Sequence, residues 1–183
     1  TALTGIEIAL WDLKGKALKT PIYELLGGKF RDKIRVYCDC EVSPGMNMAE
    51  VKAVVDEVLE AGFTALKVDL DIRAYGHTGT ETGWYEKDHF NMTPNKWEHN
   101  RMVELAHMVV EAAGPSVDVA TDLHTRLDVH SAIRLCRDLE PLQLLWLEEP
   151  VPPENIDAML AIREATSTPI CAGENLYLRH GFR

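Results

Sequence analysis

Positive charge is what this chain has least of. Its 183 residues hold 19 Lys and Arg against 29 Asp and Glu, a formal net charge of −10 at pH 7. Nucleic acids and anionic membrane surfaces both reward basic patches, so neither is expected as a partner. Cysteine is scarce too. Cys38, Cys40, Cys136 and Cys171 are too few and too scattered for a disulfide scaffold in a chain of this length. Cys38 and Cys40 would put both sulfurs on one side of a strand, where neighbouring cysteines do not bridge easily, so buried reduced thiols are expected. No run approaches the roughly 18 to 20 apolar residues of a membrane span and no secretory signal opens the chain, which makes a cytoplasmic protein the expectation.

What the chain does have is a repeat. Three carboxylates close three apolar runs: Asp122 after Val117–Thr121, Glu148 after Leu144–Leu147, and Glu174 after Pro169–Gly173, each 26 residues from the last. That interval fits a strand, a loop, a helix and a second loop, so the repeat reads as successive β/α units of a parallel sheet. In such sheets and barrels the ligand site lies at the carboxyl ends of the strands, where all three acids fall. Converging carboxylates repel one another unless a cation sits between them. Oxygen ligands without His or Cys favour a hard divalent ion, Mg²⁺ first.

The rest of the chain fits the same alternation. Apolar residues at Leu3, Ile6, Leu10, Leu13 and Ala17 predict a helix over 2–18, stopped by Thr20-Pro21, and 34–38 reads as a first strand. Asn47 with Glu50 resembles a capping pair at the head of an apolar stripe (Val51, Val54, Val55, Val58, Leu59) that ends at Gly62. Strands are expected at 64–70, 117–121, 143–147 and 169–172, with helices at 97–113, 128–139 and 154–165. Residues 71–95 form one long irregular stretch with Tyr75, His77, Trp84, Tyr85 and His89. It is either a lid or substrate-contacting loop at the carboxylate rim, or a surface insertion or subunit contact. Five parallel strands cannot close an eight-stranded barrel, and a full barrel takes about 250 residues, so a fragment of a longer protein is expected.

Three further residues carry chemistry. His124 follows Asp122 by two and could give or take a proton at neutral pH beside the proposed metal, or serve only as a loop residue. Lys67 and Asp69 alternate on the second strand, one unit earlier, and so share a face. They stand either near the metal or in a plain salt-bridged strand end.

Taken in order, Gly5–Ala17, Glu24-Leu25-Leu26-Gly27-Gly28, Leu66-Lys67-Val68-Asp69, Asp122-Leu123-His124, Trp146-Leu147-Glu148-Glu149-Pro150 and Ala172-Gly173-Glu174-Asn175 resemble the mandelate racemase and muconate lactonising branch of the enolase superfamily. The resemblance implies an α/β fold: residues 1–30 would end an α-helical capping domain and its linker, and 31–183 would form the first part of a modified (β/α) TIM-like barrel. It implies Mg²⁺ held by Asp122, Glu148 and Glu174, and abstraction of a proton α to a carboxylate with the metal stabilising the charge. Racemases of the branch usually carry a lysine where Asp69 stands. The Asp-x-His phrase instead resembles sugar-acid dehydratases, which implies His124 as general acid and an acid-sugar substrate. Lys67 would hold the substrate carboxylate or tune the metal, and Tyr75 or Tyr85 could contribute from the long loop. The expected His-Asp base would come from later strands, and a homo-oligomer is expected. A racemase, epimerase or cycloisomerase of the same superfamily, or an inactive metal-binding fragment, are the alternatives.

Overall fold

The computed structural model describes residues 2–71 and 92–182. It divides into two compact units, Thr1–Arg35 and Val36–Arg183. In the first, α1 (Ala2–Leu18) spans the helix expected from the apolar period, followed by the short α2 (Ile22–Leu25). The chain leaves α1 through Lys19 at φ +52° and Pro21, whose ring cannot continue the helix. Gly15 is buried where Thr20 doubles back and donates its N–H to the Gly15 carbonyl at 2.9 Å. A Cβ at this position would lie 3.0 Å from the Thr20 carbonyl oxygen, which accounts for the glycine.

The second unit is a five-stranded parallel sheet in sequence order: β1 (Cys38–Asp39), β2 (Ala65–Asp69), β3 (Asp118–Asp122), β4 (Leu147–Glu148) and β5 (Ile170–Cys171). Between them run α3 (Met48–Glu60), α4 (Lys96–Ala113), α5 (Val129–Leu139), a 3₁₀ turn (Glu140–Leu142) and α6 (Ile156–Ala165), and α7 (Leu178–Gly181) follows β5. The helices start where their caps dictate. Asn47 accepts from the Ala49 and Glu50 amides while Glu50 accepts from the Asn47 amide, and Asn95 with Glu98 forms a second such box. Asp128 caps α5 through the Ser131 amide, and Asn155 caps α6 through the Ala158 amide.

The sheet sorts side chains by parity. Leu66, Val68 and Leu70 point to the helical side with Val119, Leu123 and Leu147, packing with Val51, Val55, Met102, Leu105, Val109, Leu135 and Leu139 into one buried core. The alternate residues Lys67, Asp69, Asp122 and Glu148 share the opposite face. A single hydrophobic layer therefore fixes the orientation of the whole polar face.

Three expectations need correction. The first strand is not 34–38 but Cys38–Asp39, whose register pairs Cys38 with Leu66 and Asp39 with Lys67. The fourth strand is shorter and later than 143–147, because Gln143 closes the 3₁₀ turn at φ +52°. Of the four cysteines, all reduced, Cys136 alone is fully buried, since β1 and β5, which carry or adjoin the others, are the outer strands of the sheet.

Candidate metal centre and active site

The register assembles the site. Asp69, Asp122, Glu148 and Cys171 are successive cross-strand partners on β2, β3, β4 and β5, forming one row at the carboxyl ends of the strands. One step below, Asp39 pairs with Lys67. In parallel strands, register partners point to the same face, so a row of acids is brought side by side with a lysine beneath it.

Lys67 is the hub. Its Nζ donates to Asp122 Oδ2 at 2.7 Å and Glu148 Oε2 at 3.4 Å and lies 3.9 Å from Asp39 Oδ2. All three partners in the tight contact are out of solvent, with Lys67 at 7%, Asp122 at 1% and Glu148 at 8% exposure. Burial alone would lower the Lys67 pKa, but the hydrogen bond to Asp122 and the charges of Asp122, Glu148 and Asp39 outweigh it and hold the ammonium above the usual lysine range. Burial pushes Asp122 upward, yet the bonds from Lys67 and from the His124 amide leave its carboxyl below the usual value. Trp146 Nε1 donates to the same Glu148 oxygen at 3.0 Å, and its ring meets Tyr37 edge-on at 5.3 Å, so the carboxylates rest on an aromatic floor.

His124 stands at the rim. It lies in the left-handed region (φ +44°), as do Thr125 (φ +60°) and Glu149 (φ +34°), a conformation that costs a non-glycine residue energy and is held here by specific bonds. The His124 amide donates to Asp122 Oδ1 at 3.0 Å and the Thr125 amide to the Glu149 carbonyl at 2.6 Å. The ring's Nε2 is 4.0 Å from both Asp69 Oδ1 and Asp122 Oδ2, and its Nδ1 is 3.3 Å from Asp71 Oδ1. Burial would lower the His124 pKa, but Asp71, Asp122 and Asp69 together raise it above the ordinary value.

Asp69, Asp122 and His124 offer ligand atoms within 4.8 Å of one another. That donor set, dominated by hard oxygens and already drawing in an ammonium, fits a hard divalent cation. Glu174 is placed differently. It sits three residues beyond Cys171, exposed, past Gly173 at φ +141°, and is not gathered into that cluster. The turn that carries it is clamped by Glu149, which is 1% exposed and accepts from the Gly173 amide at 3.4 Å and from Asn175 Nδ2 at 2.6 Å. Asp39 and Asp71 were not singled out from sequence. The alternation Lys67-x-Asp69-x-Asp71 was the available signal for Asp71, masked because it opens the long loop. Tyr75 and Tyr85 lie outside the described residues.

The profile described as "Enolase C-terminal domain-like" matches residues 50–183, and that of the mandelate racemase/muconate lactonizing enzyme N-terminal domain matches residues 1–27. The chain belongs to the enolase superfamily. Among enolase-superfamily relatives, it is 43% identical over 184 residues to a D-xylonate dehydratase of Haloferax volcanii, a match that covers 100% of this chain and 42% of the relative. A D-galactonate dehydratase family member of Musicola paradisiaca is 33% identical over 200 residues, covering 94% of this chain and 45% of its own length. In structure it resembles a mandelate racemase/muconate lactonizing enzyme-like protein from Rubrobacter xylanophilus, with TM-score 0.84 and 45% identity over 100% of this chain and 48% of that one. The chain thus spans less than half the length of these superfamily members.

Proposed function

We propose that this chain works as one part of a longer polypeptide, a Mg²⁺-dependent dehydratase of acid sugars, with residues 31–183 forming the first part of its barrel domain. The observation that carries the reading is the juxtaposition of His124 with the buried Asp122 and Glu148 pair, whose oxygens converge on a positive charge. In this reading Asp122, Glu148 and Glu174 hold the cation, and residues 1–30 belong to a capping domain completed by the remainder of the polypeptide. When bound, the cation supplies Lewis-acid stabilisation of the charge that develops on the substrate carboxylate as the α-proton leaves.

The chain's own residues supply the other half of the elimination. As the C2–H bond breaks, its electron pair forms the C2=C3 double bond and the C3–O pair leaves with the hydroxyl. His124 Nε2 gives that hydroxyl its proton, so water departs, and the enol relaxes to a 2-keto-3-deoxy acid. Lys67 steadies the carboxylate row and offers a fixed positive charge to the substrate carboxylate. The base that accepts the C2 proton belongs to the later strands, and Tyr75 and Tyr85 are candidates for substrate contact. Asp69, standing where racemases usually place a second lysine, supports elimination over racemisation.

The test is a screen of the complete polypeptide with Mg²⁺ against aldonates, including D-xylonate and D-galactonate, detecting 2-keto-3-deoxy products. Turnover of one or a few, reduced about 10²-fold or more in His124→Asn, is the expected result. Conversion to an epimer, with no keto-deoxy product, would move the reading to a racemase or epimerase.

A further inference from the structure

Behind His124 lies a carboxylate that the elimination does not use. Asp71 follows β2 by two residues and is 2% exposed, with its side chain entirely out of solvent. Among the described residues neither of its oxygens has an aligned hydrogen-bond partner, nor has His124 Nδ1. Among the described residues, the groups of opposite charge beside it are His124, with Nδ1 at 3.3 Å from Oδ1, and the half-exposed Arg126, whose Nε is 3.9 Å from Oδ2. A carboxylate this deeply buried is costly unless a group able to share a proton or positive charge faces it, and His124 Nδ1 is placed to do so.

The geometry around the ring gives that cost a use. The backbone of His124 is pinned by its amide bond to Asp122 Oδ1, and the next residue by its bond to the Glu149 carbonyl. The imidazole therefore has a fixed root, with Nδ1 turned to Asp71 and Nε2 turned to the carboxylate row at 4.0 Å from Asp69 and Asp122. We propose that Asp71 is the positioning residue of His124: its carboxylate behind Nδ1 keeps a proton on that nitrogen both before and after Nε2 gives up its own, and holds Nε2 toward the substrate side. An acceptor behind a catalytic imidazole fixes both tautomer and ring direction, and its loss typically costs one to two orders of magnitude. This rests on the proposed dehydratase reading for its effect on rate, but the effect on the ring itself does not.

The experiment uses the complete polypeptide carrying Asp71→Asn or Asp71→Leu. The ¹⁵N resonances of the His124 ring, assigned by their loss in His124→Asn, report the tautomer whether or not any substrate is turned over. Once the ring has lost one proton, at high pH, the unsubstituted protein should keep the remaining one on Nδ1, and both variants should show a mixture with Nε2–H. With an aldonate substrate, kcat should fall about 10- to 100-fold while KM and Mg²⁺ affinity stay within about twofold. Asp71→Asn, which removes a buried charge at constant shape, should unfold at no lower temperature than the parent, so a folding defect in Asp71→Leu would leave the test intact. A ring that keeps the Nδ1–H tautomer in Asp71→Asn, or a kcat unchanged by it, would overturn the proposal. Absence of turnover in the parent would instead count against the dehydratase reading, and the resonances would still decide the role of Asp71.

Discussion

At the scale of single residues, Lys67 acts as a tethered cation. Removing it leaves Asp122 and Glu148 facing each other out of water, and an uncompensated buried charge costs about 3 to 5 kcal/mol. Lys67→Met should therefore lower the unfolding temperature in EDTA, and Mg²⁺ should restore more of it than in the parent. Equal losses with and without Mg²⁺ would mean that the lysine is not standing in for a divalent ion. Asp71 makes a second residue-scale prediction. Its folded pKa is raised from 3.8 to about 6, so the stability linked to it is full below pH 4 and is lost as the pH rises through about 6. Two units correspond to about 3 kcal/mol, and Asp71→Asn should flatten the dependence of unfolding free energy on pH between about 4 and 6. Of the site residues, Asp122 and Glu148 were legible because each ends an apolar run at a fixed interval. Asp71 was not: it continues the alternation of Lys67 and Asp69 but lies two residues past the end of β2, where the sequence reads as loop. Its significance comes from the left-handed turn that swings His124 back over it.

At the scale of elements, caps made the helices readable. Asn47 with Glu50 and Asp128 marked starts that the structure places within a residue, because side-chain oxygens competing for free amides leave a local signature. Strand limits drifted because they depend on a partner far along the chain: β1 is fixed by Leu66 and Lys67, which pair with Cys38 and Asp39. Asp128→Ala should cost about 1 kcal/mol. Burial pushes the Asp128 carboxyl up, but bonds from the Ser131 amide and hydroxyl and from Thr93 outweigh it and hold its pKa below the usual value. That stability is full above about pH 4 and disappears as the pH falls through the lowered pKa, so the parent and Asp128→Ala should converge under strong acid in urea unfolding. The clamp from β4 to the turn after β5 gives another test. Glu149→Ala releases both the Gly173 amide and Asn175, and should weaken Mg²⁺ binding more than it lowers the unfolding temperature if the turn presents Glu174 to the cation.

At the scale of the whole molecule, parity and register turn a repeat of 26 residues into one row of acids over one hydrophobic layer. The chain lays down the five strands in spatial order, so consecutive units place their terminal carboxylates side by side without any long-range crossing. Glu174 is the exception: it lies beyond the row, on a turn whose position the outer strand alone does not fix. The most direct measurement is calorimetric titration of Mg²⁺ into the complete polypeptide and its Asp122→Asn and Glu148→Gln variants. The account predicts a saturable site in the parent, weakened about tenfold or more in each variant while the fold is kept. Equal Mg²⁺ affinity in all three proteins would contradict it.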